Sequence, residues 1–186
     1  PPRSTLFPYT TLFRSMNRIN TMILALGLMV VAPGFAQDKQ VSRPADIGES
    51  EFDDFKNSSF NVMDESSKLK RDLTHIDNEI KEYSGVMSTV ATDKIKGHYQ
   101  ALTGIRGEVE KVNSNIAQLD EKGKDVVANA SKVTPKLKSV KATANTKKSI
   151  EGLDVAKGNM KSIAEMLQKD TQLLAAELKS RGEPIE

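Results

Sequence analysis

Asp72, His75 and Glu79 stand at i, i+3 and i+7, a spacing that sets two carboxylates and an imidazole along one helix face, in the manner of a metal centre inside a helical bundle. Such a centre needs a second carboxylate–histidine pair and further carboxylates from other helices. The chain has two histidines, and the second, His98, is preceded by Lys94 at four residues and Ile95 at three, so the ligand count fails. His75 reads instead as a half-solvated residue beside an apolar seam, and His98, next to Tyr99, as a partly buried, hydrogen-bonded one. No metal and no cofactor is expected.

The second cluster is cationic. Val126 to Ile150 holds Lys132, Lys136, Lys138, Lys141, Lys147 and Lys148 and no acid. These six form the candidate surface for an anion or a partner: lipid headgroups and lipopolysaccharide phosphates suit it by charge. Phe52, Phe55, Phe60, Tyr83 and Tyr99 all precede the stretch, so it has no platform on which bases stack, and nucleic acid is not an expected partner. A solvated face that complements acids elsewhere in the chain is the alternative. The sequence contains no Gly-x-Ser-x-Gly, no His-Glu-x-x-His, no phosphate-cradling glycine loop, no Cys and no Trp, and the expectation is a protein that is not an enzyme.

The chain carries 27 Lys+Arg against 25 Asp+Glu. Thr5 to Ser15, TLFPYTTLFRS, resembles the conceptual translation of a short-read sequencing adapter, which implies that residues 1–15 are not native and that Met16 is the start. Residues 16–36 then read as a secretory signal peptide: Arg18, an apolar run from Met22 to Ala32, a Pro33-Gly34 break and a cut after Ala36. That run of eleven residues is shorter than the roughly 20 needed to span a bilayer. The expected location is the periplasm or the extracellular space. Removing Arg3, Arg14 and Arg18 leaves 24 basic against 25 acidic residues, so the apparent basicity belongs to the leader.

Long helices must position these residues. Apolar side chains recur at alternating steps of three and four through Phe52, Phe55, Val62, Leu69, Leu73, Ile76, Ile80, Tyr83, Met87 and Val90, with Ser59 and Ser66 in polar slots. The rhythm restarts one residue out of step through Ile95, Leu102, Ile105, Val109, Val112, Ile116, Leu119, Val126, Ala130 and Val133, with His98 and Gly123 as exceptions. A mean step of 3.5 keeps one seam of a helix turned to a partner. The fold class predicted is all-α, an elongated antiparallel bundle of three, or four, long helices with coiled-coil-like heptad packing over residues 50–182, after a flexible lead-in at 37–49 and before a short tail at 183–186.

Ser50 is the expected N-cap of the first helix, with Glu51, Asp53 and Asp54 suiting the positive end of its dipole. Its end falls at Ser84-Gly85 or at the phase slip around Ala91-Thr92-Asp93, and the second is preferred because Met87 and Val90 stay in register. Thr92 or Asp93 then caps the second helix. Thr134-Pro135 opens the third, whose seam reads Leu137, Val140 and Ala144, slips at Asn145-Thr146, and resumes at Leu153, Ala156, Met160, Ile163, Leu167 and Leu174, ending near Arg181-Gly182. One helix or two fit that slip.

Glu49 to Glu65 holds six acids and one Lys, which an up-down-up arrangement sets beside the lysine stretch. Gly97, Ala101 and Gly104, with Gly107 beyond, form a small-residue stripe that suits close approach of a backbone or local flexibility. The function expected is that of an exported, non-enzymatic bundle acting by protein contact or self-association, as adaptor, scaffold or chaperone-like clamp. The alternative is a binder of anionic lipid or the envelope surface, whose helices open and lay their seams on a membrane.

Overall fold

A computed structural model describes residues 41–185; the adapter-like stretch 1–15, the leader 16–36 with its cut after Ala36, and residues 37–40 lie outside the described residues. Three helices follow one another, α1 (Ser50–Glu82), α2 (Thr92–Ala130) and α3 (Lys136–Ser180), with one 3-10 turn (Met87–Thr89) between α1 and α2 and no strand among the described residues. Their 33, 39 and 45 residues make rods of about 50, 58 and 68 Å at 1.5 Å per residue. Each packs against the other two. The topology is up-down-up: Lys138 at the start of α3 pairs with Glu49 at the start of α1, and Asn129 at the end of α2 donates to Glu51.

The alternating three-four seams become the core. Phe55, Leu73, Ile95, Leu102, Val126, Ile163 and Leu174 are fully buried, and burial of each such side chain stabilises by about 1.5–3 kcal/mol relative to exposure. Gly123 meets Phe55: a Cβ built on this glycine stands 3.1 Å from Phe55 Cζ, so the missing side chain makes room for a phenyl ring. In the polar slots, the Ser59 and Ser66 hydroxyls each donate to a backbone carbonyl in their own helix, of Phe55 and Met63 respectively, at 2.8 Å.

Helix ends depart from expectation in four places, one of them the start of α3, where Pro135 and not Thr134 is the N-cap and Lys136 is the first helical residue. The N-cap of α1 is Glu49, and the capping oxygens come from Asp53, whose carboxylate accepts the N–H groups of Ile47, Gly48 and Glu49. α1 stops at Glu82, the boundary not preferred from the sequence: Gly85 takes φ +84, a left-handed turn that ends the helix, and the 3-10 turn then returns Met87 and Val90 to the edge of the core. α2 is capped by Ala91, neither Thr92 nor Asp93; the Thr92 hydroxyl instead accepts from Arg181. At the far end the expectation holds. Gly182, at φ +74, lets its own N–H reach Lys179 O and that of Glu183 reach Leu178 O, a Schellman closure.

The lead-in at 41–49 has no helix, yet it is anchored. Asn145 donates to Ala45 O, Lys56 pairs with Asp46, Arg43 bonds Asn61 and Asp64 and lies over the Phe60 ring, and Ile47 packs on the core. α3 is one unbroken helix through Asn145-Thr146. Its first four turns bury Ala142, Asn145, Thr146 and Ser149, while Leu137 and Val140 are 69% and 62% exposed and Ala144 also faces solvent. The seam expected through Leu137, Val140 and Ala144 is therefore corrected: the lead-in occupies the layer beside α3 here, and small polar residues suit it.

Gly104 and Gly123 separate helix propensity from packing. Gly104→Ala adds a methyl where nothing lies within 4 Å and removes a cost of about 1 kcal/mol, raising the melting temperature by roughly 2–4 °C in a circular-dichroism melt. Gly123→Ala presses on Phe55 and is expected to lower it. Equal shifts in the two variants would contradict the seam packing.

Candidate functional site

The six lysines lie at the end of the bundle where α2 hands over to α3. Lys132 follows the last turn of α2 and donates to Asn129 at 3.0 Å. Lys138 is half-buried and pairs with Glu49 at 2.7 Å. Lys136, Lys141, Lys147 and Lys148 are exposed on α3 with no ion-pair partner among the described residues. Charge complementarity between the start of α1 and the lysine stretch thus engages one lysine directly and leaves four to solvent.

What the sequence missed is the company these four keep. At 3.6 residues per turn, Leu137, Val140 and Ala144 fall within about 60° of one another, with Lys141 and Lys148 along one border and Lys136 and Lys147 along the other. The signal was present as the register slip. A stripe out of phase with the later seam, on a helix that does not break, must point away from the core.

The histidines form a different constellation from the one the i, i+3, i+7 spacing suggests. Glu79 lies between them, 3.3 Å from His75 Nδ1 and 3.4 Å from His98 Nε2, and the Tyr83 hydroxyl is 3.0 Å from the same His98 nitrogen. His98 is mostly buried and joins α1 to α2, whereas Asp72 is exposed. No group of three metal-ligating side chains is arranged to hold an ion among the described residues.

A buried polar seam joins α1 to α3. Asn159 donates to the hydroxyls of Ser66 and Ser67 and accepts from Lys70. Two to three turns further along α3, Asp170 is fully buried, with no donor in hydrogen-bond geometry and Lys169 Nζ 3.5 Å from one oxygen. Desolvation, reinforced by the nearby Asp77 carboxylate, raises the Asp170 carboxyl above the ordinary range. Burial alone would also raise Asp77, but hydrogen bonds from Lys81 and Lys169 hold its carboxyl below the ordinary range. Lys56 is buried as well, and desolvation, then the Arg43 charge, lowers it. Asp170 occupies the slot left open between Leu167 and Leu174, and that gap of seven was the only sequence sign of it.

A scan against protein-family models finds no match, and searches of curated proteins and of solved structures return none either. No helix among the described residues is long and apolar enough to cross a membrane.

Asp170 and Asp77 pull stability in opposite directions with pH. Asp170, raised on folding, contributes stability that is present in acid and lost as pH climbs from about 4 through its folded value; Asp77, depressed, contributes stability present near neutrality and lost in acid. Asp170→Asn therefore gains melting temperature over the parent progressively as pH rises above about 4, while the deficit of Asp77→Asn shrinks toward acid. Melting curves that stay parallel across pH would contradict the assignment.

Proposed function

We propose that the chain is an exported, non-enzymatic helical bundle that works by protein contact, a partner helix or second copy docking on its outer faces, as an adaptor, scaffold or chaperone-like clamp. Export rests on the leader read at 16–36.

The observation that supports the contact reading is the outer face of α2. Gly97, Ala101 and Gly104 are all exposed at i, i+4 and i+7, and a Cβ added to Gly97, Gly104 or Gly107 would meet nothing within 4 Å. The intramolecular explanation of this stripe, close approach by a neighbouring helix of the same chain, is absent. Each glycine costs about 1 kcal/mol against alanine without any packing inside the bundle to offset it. A face free of side chains lets a partner helix approach at the short end of the interaxial range, and Lys94, Lys96, Arg106 and Glu108 beside it supply a charged rim that selects the partner.

Opening of the seams onto a membrane is the less favoured mode. It would strip Asn159 of Ser66 and Ser67, and Asp77 of Lys169, and unpaired buried groups of this kind cost about 1–3 kcal/mol each.

The test uses Gly97→Leu/Gly104→Leu. Pull-down from envelope extract and light scattering are expected to lose the partner or the dimer that the parent shows, while the melting temperature holds or rises. Capture that is unchanged in the double variant, or a parent that is monomeric and captures nothing, overturns the reading.

A further inference from the structure

Leu137 and Val140 are the two most exposed large apolar side chains among the described residues, and they sit on one short stretch of α3. Their stripe runs about 10 Å along the helix, from Leu137 to Ala144. It lies about half a turn from the face that buries Ala142, Asn145, Thr146 and Ser149, so the bundle stays closed with the stripe turned outward. Lys141 and Lys148 on one border and Lys136 and Lys147 on the other have no acidic partner among the described residues. Glu151, one turn on, ends the cationic stretch.

Three small or medium apolar side chains are far below the roughly 800 Å² per partner of a stable protein interface, and no aromatic anchor accompanies them. A lipid surface asks for less. Shallow insertion of an apolar stripe, with lysine stems lying along it and ammonium groups reaching phosphates on both sides, is the layout of a helix held at an interface. We propose that the first four turns of α3 dock the closed bundle onto a phosphate-bearing anionic lipid surface, Leu137 and Val140 entering the headgroup layer and Lys136, Lys141, Lys147 and Lys148 contacting the phosphates. This goes beyond the contact reading of α2: it fixes one end of the bundle at a surface and leaves the α2 face free.

The absence of cysteine makes a local probe possible, because a single introduced thiol is the only labelling site. The full chain carrying Val140→Cys with an environment-sensitive fluorophore is mixed with vesicles of phosphatidylglycerol and phosphatidylcholine at about 3:7, and a matching Ala117→Cys chain reports from the exposed side of α2. The expected result is a blue shift at 140 and none at 117. Raising the salt to about 0.5 M or adding Lys141→Glu/Lys148→Glu should weaken it at least tenfold. Vesicles of phosphatidylcholine alone and inorganic phosphate should leave the 140 signal unchanged.

No response at 140, an equal response at 117, or a shift on neutral vesicles that salt does not reverse would overturn the proposal. So would a shift produced by soluble polyglutamate and not by the vesicles, which would assign the stripe to an acidic protein. The salt comparison needs no second substitution, so the outcome does not depend on the charge-reversed chain folding. Loss of the vesicle response with the Gly97/Gly104 effect intact would remove this proposal and leave the α2 reading standing.

Discussion

The packing of the bundle depends on α3 having to satisfy two unlike neighbours, α2 with an apolar buried face and α1 with polar groups buried along its own. α2 carries a nearly continuous apolar seam, whereas α1 buries Lys56, Ser59, Ser66 and Asp77 among its apolar residues and α3 alternates Leu153, Ala156, Ile163, Leu167 and Leu174 with Asn145, Thr146, Ser149, Asn159, Asp170 and Thr171. Buried polar groups destabilise unless they find partners, and two of these find them on other elements, Asn145 at the Ala45 carbonyl and Asn159 at Ser66 and Ser67; Ser149 donates to a carbonyl of its own helix, and Thr146, Asp170 and Thr171 make no side-chain hydrogen bond. Apolar seams alone tolerate sliding by a heptad. A slide of seven residues would separate Asn159 from both serines and Lys169 from Asp77, so the polar pairs select a single register.

The two ends of the bundle are closed by different means. At one, Arg181 donates to the carbonyls of Met87 and Val90 and to Thr92 while pairing with Glu177, so that the C-terminus of α3 clamps the α1–α2 connection. At the other, closure depends on the lead-in, whose acids and carbonyls meet Lys56 and Asn145. Because a non-helical segment fills that layer, the start of α3 has no need of large apolar residues on its inner side. Leucine and valine placed on its outer side have no structural task in the folded chain.

The helical seams were legible because period 3.5 is a global property of long segments, and small errors in one position do not disturb it. Nearly every residue assigned to the first two seams is buried or half-buried, and His98 and Gly123 lie in them as expected. Helix ends were harder. The choice between Ser84-Gly85 and the later slip turned on whether Met87 and Val90 required helix to remain in register, and a 3-10 turn gives nearly the same facing over three residues. The Asp53 cap was hidden because a carboxylate can reach back to N–H groups before the helix from within its first turns, a contact that spacing alone does not distinguish from a favourable dipole charge. Glu79 bridging two histidines on different helices depends on the axial offset of α1 against α2, about which a single-helix pattern carries no information.

The slip at Asn145-Thr146 is the place where local and global patterns disagree, and the disagreement has physical content. Two apolar stripes out of phase on one sequence admit two solutions: the helix breaks so that both stripes face inward, or it continues and one of them faces out. Breaking would need a turn residue, and Ala142 to Ile150 contains neither glycine nor proline, so continuation costs less. A stripe held outward by the continuity of its own helix cannot be an accident of poor packing that a small rearrangement would repair, since turning it inward means unwinding α3 or parting Asn145 from the Ala45 carbonyl. Solvated leucine and valine gain nothing from water, and the unpaired lysines on both borders are what the proposed anionic lipid surface would require. The conflict between the two stripes thus marks the part of the helix whose residues were not chosen by the fold.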